Sequence, residues 1–205
     1  AADAGAAEAP LPPRAPATGR RVAVVGAGPA GLSAAWFLLL AGHECILFEA
    51  RELPGGMLRR GVPEFLLPRA ALDADIAPIL SLGARLQAGV RLGRDISLGD
   101  LRRAHDAVLL AVGAEAEEAM SFEGMEWAAP ARAFLENPAG AGIRPGAAVA
   151  VVGDGLEACA AARTAVRLGA GAVTLLCGEA AGGREAADAR VSAAREGVRV
   201  LNVSG

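Results

Sequence analysis

The segment RVAVVGAGPAGLSAAWFLLLAGHECILFEAR, residues 21–51, constrains the fold of this chain more than any other stretch. An apolar run leads into closely spaced glycines, a long apolar run follows, and a further apolar stretch ends in one acid. A membrane-spanning helix needs about 20 unbroken apolar residues, whereas Gly42, His43 and Glu44 interrupt this run. The pattern therefore predicts a strand, a glycine-rich turn, a helix and a second strand, with no membrane span.

The glycines of this turn have the spacing GxGxxG, which is typical of a dinucleotide-binding βαβ unit. Gly26 is predicted to permit the sharp turn, Gly28 to let a pyrophosphate approach the backbone, and Gly31 to let the helix pack against the strand. An ordinary structural βαβ unit is the alternative interpretation, because a GxGxxG motif alone is a weak signal.

The residues around these glycines favour a nucleotide site. The predicted helix begins at Ala30, directly after Pro29, and the free backbone amides at its start would face the phosphates. Glu49 closes the second strand and is placed to accept hydrogen bonds from ribose hydroxyls. A glycine-punctuated loop is predicted to follow through Gly61 to Pro63, and Ser97 to cap a short helix further along.

A second segment, AVAVVGDGLEACAAARTAVRLGAGAVTLLC at residues 148–177, repeats the order of strand, glycine turn, helix and strand. Gly153, Gly155 and Leu156 are predicted to contact a second dinucleotide, and Ala158 takes the place of the third glycine. The fold class is therefore α/β, with two Rossmann-like dinucleotide-binding units. The second unit is expected to be incomplete, because the chain stops before a full second sheet.

The predicted domain organisation has four parts. Residues 1–19 are Ala- and Pro-rich and are predicted to be a linker or disordered tail. Residues 20–114 form the first unit, residues 115–145 an acidic connection, and residues 146–205 part of the second unit.

Composition excludes several classes of function. A net charge of −3, 3% aromatic residues and no Tyr argue against nucleic-acid binding. All 20 basic residues are Arg, which excludes a P-loop lysine or a Schiff-base lysine. The three cysteines form no CxxC pair, so no metal site is predicted, and buried reduced thiols of a cytoplasmic protein are expected. His43 and His105 are expected to be solvated or locally hydrogen-bonded, and no catalytic residue is nominated.

The stretch RELPGGMLRRGVPEFLLP at residues 51–68 adds a more specific signal. Together with GAGPAGLSAA at residues 26–35, Glu49 and LLAVGA at residues 109–114, it resembles the flavin-binding half of the glutamate synthase small-subunit family, which includes the flavin part of dihydropyrimidine dehydrogenase. The resemblance covers roughly residues 20–203. It implies a fold like that of the pyridine nucleotide-disulfide oxidoreductases, with FAD in the first unit and a pyridine nucleotide in the second, inserted unit.

The resemblance also implies roles for residues outside the glycine turn. Gly56, Met57 and Leu58 would pass along the flavin, the backbone of Val90 would meet the adenine, and Gly113 would belong to the FAD site. Leu66 stands where the family often has an arginine that contacts the cofactor, and Arg59 or Arg60 is a candidate replacement.

The second unit departs from the family pattern. Asp154 and Glu157 place carboxylates beside the turn, where like charge opposes a pyrophosphate. The family has an arginine pair after the second strand, whereas this chain has Gly178 and Glu179. NADP is therefore disfavoured, the choice between NADH and NADPH stays open, and Arg184 is a candidate to reach back.

The resemblance predicts an NAD(P)H-dependent flavin oxidoreductase. It would pass hydride or electrons from NAD(P)H through FAD to an acceptor on a partner, expected to be an iron–sulfur domain or subunit. The chain is expected to be a portion of a longer polypeptide or one subunit of a complex. The alternatives are an FAD electron-transfer module with a degenerate nucleotide site and a non-catalytic assembly subunit.

Overall fold

The computed structural model of the chain describes residues 10–114, 124–178 and 183–203. Within them the chain forms two compact units. The first unit contains residues 10–59 and 69–114, and the second contains residues 60–68, 124–178 and 183–203. No pattern in the sequence indicated that residues 60–68 belong to the second unit.

The first unit contains, in chain order, β1 (Arg21–Val25), α1 (Pro29–Leu40), β2 (Glu44–Phe48), α2 (Gly56–Arg60), α3 (Arg69–Ser81), β3 (Arg85–Gln87), α4 (Leu98–Ala104) and β4 (Ala107–Leu110). Its strands form one parallel sheet in the order β3-β2-β1-β4. Val24 of β1 is paired with Leu47 on one side and Leu109 on the other. Four consecutive residues of β1 are buried, as expected for an inner strand of a parallel sheet.

Helix α2 corrects the prediction of an irregular loop after Glu49. Gly56 begins this helix with a φ of +53°. The residues that follow, Met57, Leu58 and Arg59, have high helix propensity, which the neighbouring glycines concealed in the sequence. The capped helix predicted after Ser97 is confirmed, because Ser97 and Asp100 form a capping box at the start of α4.

The described part of the predicted tail is attached to the first unit. Arg14 donates hydrogen bonds to the backbone oxygens of Leu39 and Leu82, at 3.0 Å each. The backbone nitrogen of Ala15 donates to the oxygen of Leu40 at 2.8 Å. Residues 10–19 have no regular secondary structure, and these long-range hydrogen bonds fix their path.

The second unit contains α5 (Ala131–Glu136), β5 (Ala148–Val152), α6 (Leu156–Arg167), β6 (Ala172–Cys177), α7 (Arg184–Arg195) and β7 (Arg199–Asn202). Its strands form a parallel sheet in the order β5-β6-β7, which repeats the order β1-β2-β3 of the first unit. Its core is made largely of small side chains, such as Ala162 of α6 packed with Leu175 of β6. Residues 115–123 of the predicted acidic connection lie outside the described residues.

An aromatic ring and an ion pair help to hold residues 60–68 within the second unit. The ring of Phe65 lies 3.6 Å from the guanidinium carbon of Arg167 and 4.9 Å from that of Arg163. Glu196, just after α7, accepts hydrogen bonds from both arginines. Arg60 forms an ion pair with Glu136 at 2.7 Å. A network of opposite charges and a cation–π pair therefore holds this segment.

Replacing Glu196 with glutamine is expected to lower the stability of the second unit by about 1 kcal/mol at pH 7, since its ion pairs are partly exposed. Hydrogen bonds from Arg167 and Arg163 lower the pKa of Glu196 from 4.5 to about 2. A lowered folded-state pKa stabilises the fold above pH 4.5, and this contribution is lost as the pH falls towards 2.

Urea unfolding followed by circular dichroism at several pH values between 7 and 2 measures this effect. The difference between the wild type and Glu196→Gln should shrink across the acid range. Glu64→Gln removes an exposed carboxylate beside Phe65 and serves as the control. A difference that is independent of pH would contradict the prediction.

Candidate dinucleotide-binding sites

Two glycines of the first turn are required by packing within the protein. Gly26 has a φ of +102°, and a Cβ atom there would lie 2.2 Å from the backbone oxygen of Ala111. Its backbone nitrogen donates to the oxygen of Phe48 at 2.8 Å, which joins the turn to β2. A Cβ atom on Gly31 would lie 1.9 Å from the oxygen of Gly26. The helix therefore starts in close contact with the turn, as the sequence predicted for these two positions.

Gly28 differs from these glycines because no packing contact within the first unit requires it. It precedes α1 with φ −79° and ψ −176°, a conformation open to any residue. The nearest atom to a Cβ there would be the Cα of Gly56, at 3.7 Å. Pro29 and Ala30, the first two residues of α1, are exposed. The start of α1 is thus an accessible helix N-terminus, which attracts anions.

The second glycine pair closes one side of this turn. The backbone nitrogen of Gly55 donates to the oxygen of Ala27 at 2.7 Å. A Cβ atom on Gly56 would lie 2.7 Å from the Cα of Gly28, so the two backbones approach more closely than side chains allow. Two glycine-rich backbone segments therefore lie side by side at the start of α1.

Glu49 is buried and its carboxylate points at the glycine turn. One oxygen, Oε2, accepts a hydrogen bond from the backbone nitrogen of Ala27 at 2.8 Å, and Oε1 accepts one from that of Arg51 at 2.9 Å. An ionised carboxylate has about four lone-pair sites. The two backbone bonds orient the group and leave capacity to accept hydrogen bonds from hydroxyl groups.

The residues predicted to lie along the flavin form α2. Gly56, Met57 and Leu58 are partly buried there. Arg69, which the sequence analysis did not single out, donates to the backbone oxygen of Leu58 at 3.0 Å. Arg69 is therefore a residue that positions α2. Only its place directly after Pro68, at the start of a helical pattern, could have indicated it.

The suggestion that Arg59 or Arg60 replaces the arginine missing at Leu66 is not supported. Arg59 pairs with Asp73 of α3, and Arg60 pairs with Glu136 in the second unit. Both guanidinium groups are already held by carboxylates, so neither is available to compensate for Leu66.

Val90 and Gly113 are the two further residues that were predicted to contact FAD. The backbone nitrogen of Val90 donates to the oxygen of Glu49 at 2.9 Å, so this N–H is not available to an adenine ring. Gly113 is exposed, with a φ of +76° and open space where a Cβ would lie. Val90 thus connects to the acid of the site through its backbone, and Gly113 lies after β4.

The turn of the second unit repeats the backbone geometry of the first. Gly153 has a φ of +142°, and its nitrogen donates to the oxygen of Leu176 at 2.9 Å, as Gly26 does to Phe48. Gly155 precedes α6 with φ −85° and ψ 177°, and no atom of the described residues lies within 4 Å of a Cβ placed there. Leu156, the first residue of α6, is 54% exposed.

Each of the two acidic residues expected to oppose a pyrophosphate at this turn has a contact with an arginine. Glu157 lies 3.9 Å from Arg132. Arg190 donates to the backbone oxygen of Asp154 at 3.0 Å. The sequence analysis did not identify these long-range partners. Of the two residues invoked against NADP, Gly178 is exposed and Glu179 lies outside the described residues.

The cysteines and histidines agree with the expectations for them. The three cysteines are buried and free, and burial raises the pKa of Cys45 to about 11. His43 is hydrogen-bonded to Thr18 at 2.7 Å, and His105 to the oxygen of Leu101 at 3.0 Å.

Across residues 10–114, 124–178 and 183–203, no cluster of side chains could hold a metal ion. Within the same ranges, no helix is long and apolar enough to cross a bilayer.

Comparisons with known proteins agree with this geometry. A family model described as an NAD(P)-binding Rossmann-like domain matches residues 24–78. A glutamate synthase [NADPH] small chain from Mycobacterium tuberculosis is 46% identical over 117 residues, which cover 57% of this chain and 24% of that protein. The predicted family resemblance is confirmed.

A second relative is the NADP(+)-dependent formate dehydrogenase subunit beta of Moorella thermoacetica. It is 40% identical over 165 residues, which cover 78% of this chain and 23% of that protein. The chain thus spans about a quarter of the length of these relatives. Thioredoxin reductase from Lactococcus lactis has a TM-score of 0.61 at 18% identity, covering 91% of this chain and 67% of that one. This likeness confirms the predicted α/β fold.

Proposed function

We propose that the first unit binds FAD and the second binds NADH or NADPH, as part of an NAD(P)H-dependent flavin oxidoreductase. The observation that carries this proposal is the repeated turn, in which Gly28 and Gly155 precede their helices with nearly the same φ and ψ. Glu49, held at the first of these turns, adds the acid that a ribose requires.

The residues of the first turn fit a dinucleotide. A Cβ on Gly28 would fill the space through which a diphosphate reaches the amides of α1, and the protein leaves that space open. Glu49 is fixed by two backbone amides and presents its remaining lone pairs to sugar hydroxyls. Bound FAD would supply two-electron chemistry with the pyridine nucleotide and electron transfer onwards. The protein contributes binding and orientation, so no acid or base residue is required.

The relatives support this assignment and suggest the setting. Two of them are named as NADPH- or NADP(+)-dependent and carry the words small chain or subunit. We infer that this chain acts with a partner domain or subunit that bears the electron acceptor, for which an iron–sulfur group is the best candidate. Three buried free thiols fit a cytoplasmic, reducing compartment.

A second candidate function is an FAD electron-transfer module whose second unit no longer binds a nucleotide. The carboxylates of Asp154 and Glu157 beside the second turn favour it. The purified protein, mixed with NADH and then NADPH without oxygen, distinguishes the two by its absorbance. Bleaching of a flavin spectrum supports the oxidoreductase, and a flavin that neither donor reduces supports the module. A colourless protein that does not take up added FAD would contradict both.

Replacing Glu49 with glutamine is expected to weaken FAD binding by about tenfold, because an amide donates where the carboxylate accepts and one partner is lost. A fluorescence titration of the apoprotein with FAD measures this affinity. Glu52→Gln, which removes an exposed carboxylate three residues later, is the control and should bind FAD normally. Equal affinity in the two variants would show that Glu49 does not contact the cofactor.

A further inference from the structure

Arg190 is an arginine on the inward face of a helix. The buried residues of α7, Ala186 and Ala193, lie four residues before it and three residues after it. Residues at these spacings share one face of an α-helix. Arg190 thus extends from the side of α7 that packs on the sheet, and its Nη1 atom donates to the backbone oxygen of Asp154 at 3.0 Å.

The guanidinium of Arg190 therefore lies at the turn between β5 and α6. Its positive charge also acts on Cys177, the last residue of β6, where it opposes the rise in pKa that burial causes. The same charge acts on Cys159 of α6. The cation is thus near both the glycine turn and the carboxyl end of the neighbouring strand.

In a parallel dinucleotide-binding unit, this position is close to the adenosine ribose of the nucleotide. The adenosine ribose of the nucleotide lies between the first glycine turn and the end of the second strand. NAD has a free 2′-hydroxyl there, whereas NADP has a 2′-phosphate, which an arginine can bind. Among the described residues Arg190 forms no ion pair, and its one hydrogen bond goes to a neutral carbonyl, whereas a guanidinium has five N–H donors in total.

We propose that Arg190 binds the 2′-phosphate of NADPH and gives the second unit a preference for NADPH over NADH. The inference rests on the proposed function, in which this unit binds a pyridine nucleotide. It reverses the expectation drawn from Gly178, because the cation that is missing after β6 is supplied from α7. Arg184, the other basic residue considered for this role, is exposed at the first position of α7.

Two probes that differ only in the 2′-phosphate, 2′,5′-ADP and 5′-AMP, test this proposal. Isothermal titration calorimetry of the full chain gives their affinities. The wild type is expected to bind 2′,5′-ADP at least about tenfold more tightly than 5′-AMP. Arg190→Ala should remove most of this difference while leaving the affinity for 5′-AMP within about twofold, and Arg190→Lys should restore part of it.

Arg195→Ala is the matched control, since it removes the same charge from an exposed site at the end of α7. Equal losses for both probes in Arg190→Ala would show that Arg190 only holds the turn, which overturns the proposal. A selective loss in Arg184→Ala instead would assign the role to Arg184 and also overturn it. If the wild type binds both probes equally, the proposal fails while the nucleotide site stands. If it binds neither, the nucleotide site of the second unit fails as well.

Discussion

Replacing Gly31 with alanine is expected to destabilise the first unit by on the order of 3 kcal/mol, the upper end of the usual cost of overpacking. The added Cβ would lie 1.9 Å from the backbone oxygen of Gly26, and ordinary contact begins at 3.4 Å. The obstacle is backbone, which cannot rotate away as a flexible side chain can. Helix α1 must therefore move off the turn, and the tight junction between β1 and α1 is lost.

Tryptophan fluorescence during thermal unfolding measures this effect. The chain has two tryptophans, Trp36 in α1 and Trp127 in the second unit. In a Trp127→Phe background, Trp36 alone reports on the packing of α1. A loss of 1 kcal/mol lowers the Tm of a domain of this size by roughly 4–8 °C, so the expected decrease exceeds about 10 °C.

Gly99→Ala provides a matched control, because Gly99 is also a helical glycine. A Cβ there would approach the end of the flexible Arg103 side chain at 3.3 Å. Alanine has a higher helix propensity than glycine, so this variant should be neutral or more stable by up to about 1 kcal/mol. If Gly31→Ala and Gly99→Ala unfold at the same temperature, the result would contradict a close contact between α1 and the turn at Gly31.

The parts of the fold that the sequence predicted are those governed by local patterns. The strands β1 and β5 are short apolar runs that end at glycines, and each is followed by an alanine-rich helix, so both βαβ units could be recognised. Glu49 could be assigned to the turn because the spacing from a glycine motif to the acid depends only on the length of one helix and one strand.

The parts that could not be predicted depend on contacts between residues far apart in the chain. Residues 60–68 belong to the second unit because Phe65 packs on arginines about a hundred residues later. Arg190 reaches Asp154 across 36 positions. Neither hydrophobic periodicity nor secondary-structure propensity indicates such long-range pairs. In a chain whose basic residues are all arginine, composition also gives no sign of which of them is structural.

The second large effect is expected from Gly28→Ala, which should leave the first unit folded and weaken its binding of FAD by roughly 10- to 100-fold. The backbone at Gly28 suits alanine, and no protein atom lies closer than 3.7 Å to the new Cβ. The added methyl group would occupy the space above the first amides of α1, so a diphosphate could no longer reach them. Stability should change by less than about 1 kcal/mol, because a weaker helix cap is offset by a less flexible unfolded chain.

Gly155→Ala makes the same change in the second unit, where no atom of the part of the chain that the structure describes lies within 4 Å of the new Cβ. Titrations of both variants with FAD and with NADPH should therefore give opposite results, in which Gly28→Ala loses FAD and Gly155→Ala loses NADPH. A structural role for either glycine predicts a lower Tm with unchanged affinity. Loss of both ligands in one variant would mean that the turns do not act as separate sites. Because Gly26 and Gly31 are fixed by packing while Gly28 and Gly155 are not, only the latter pair reports on ligands, and the assignment of two dinucleotides depends on this difference.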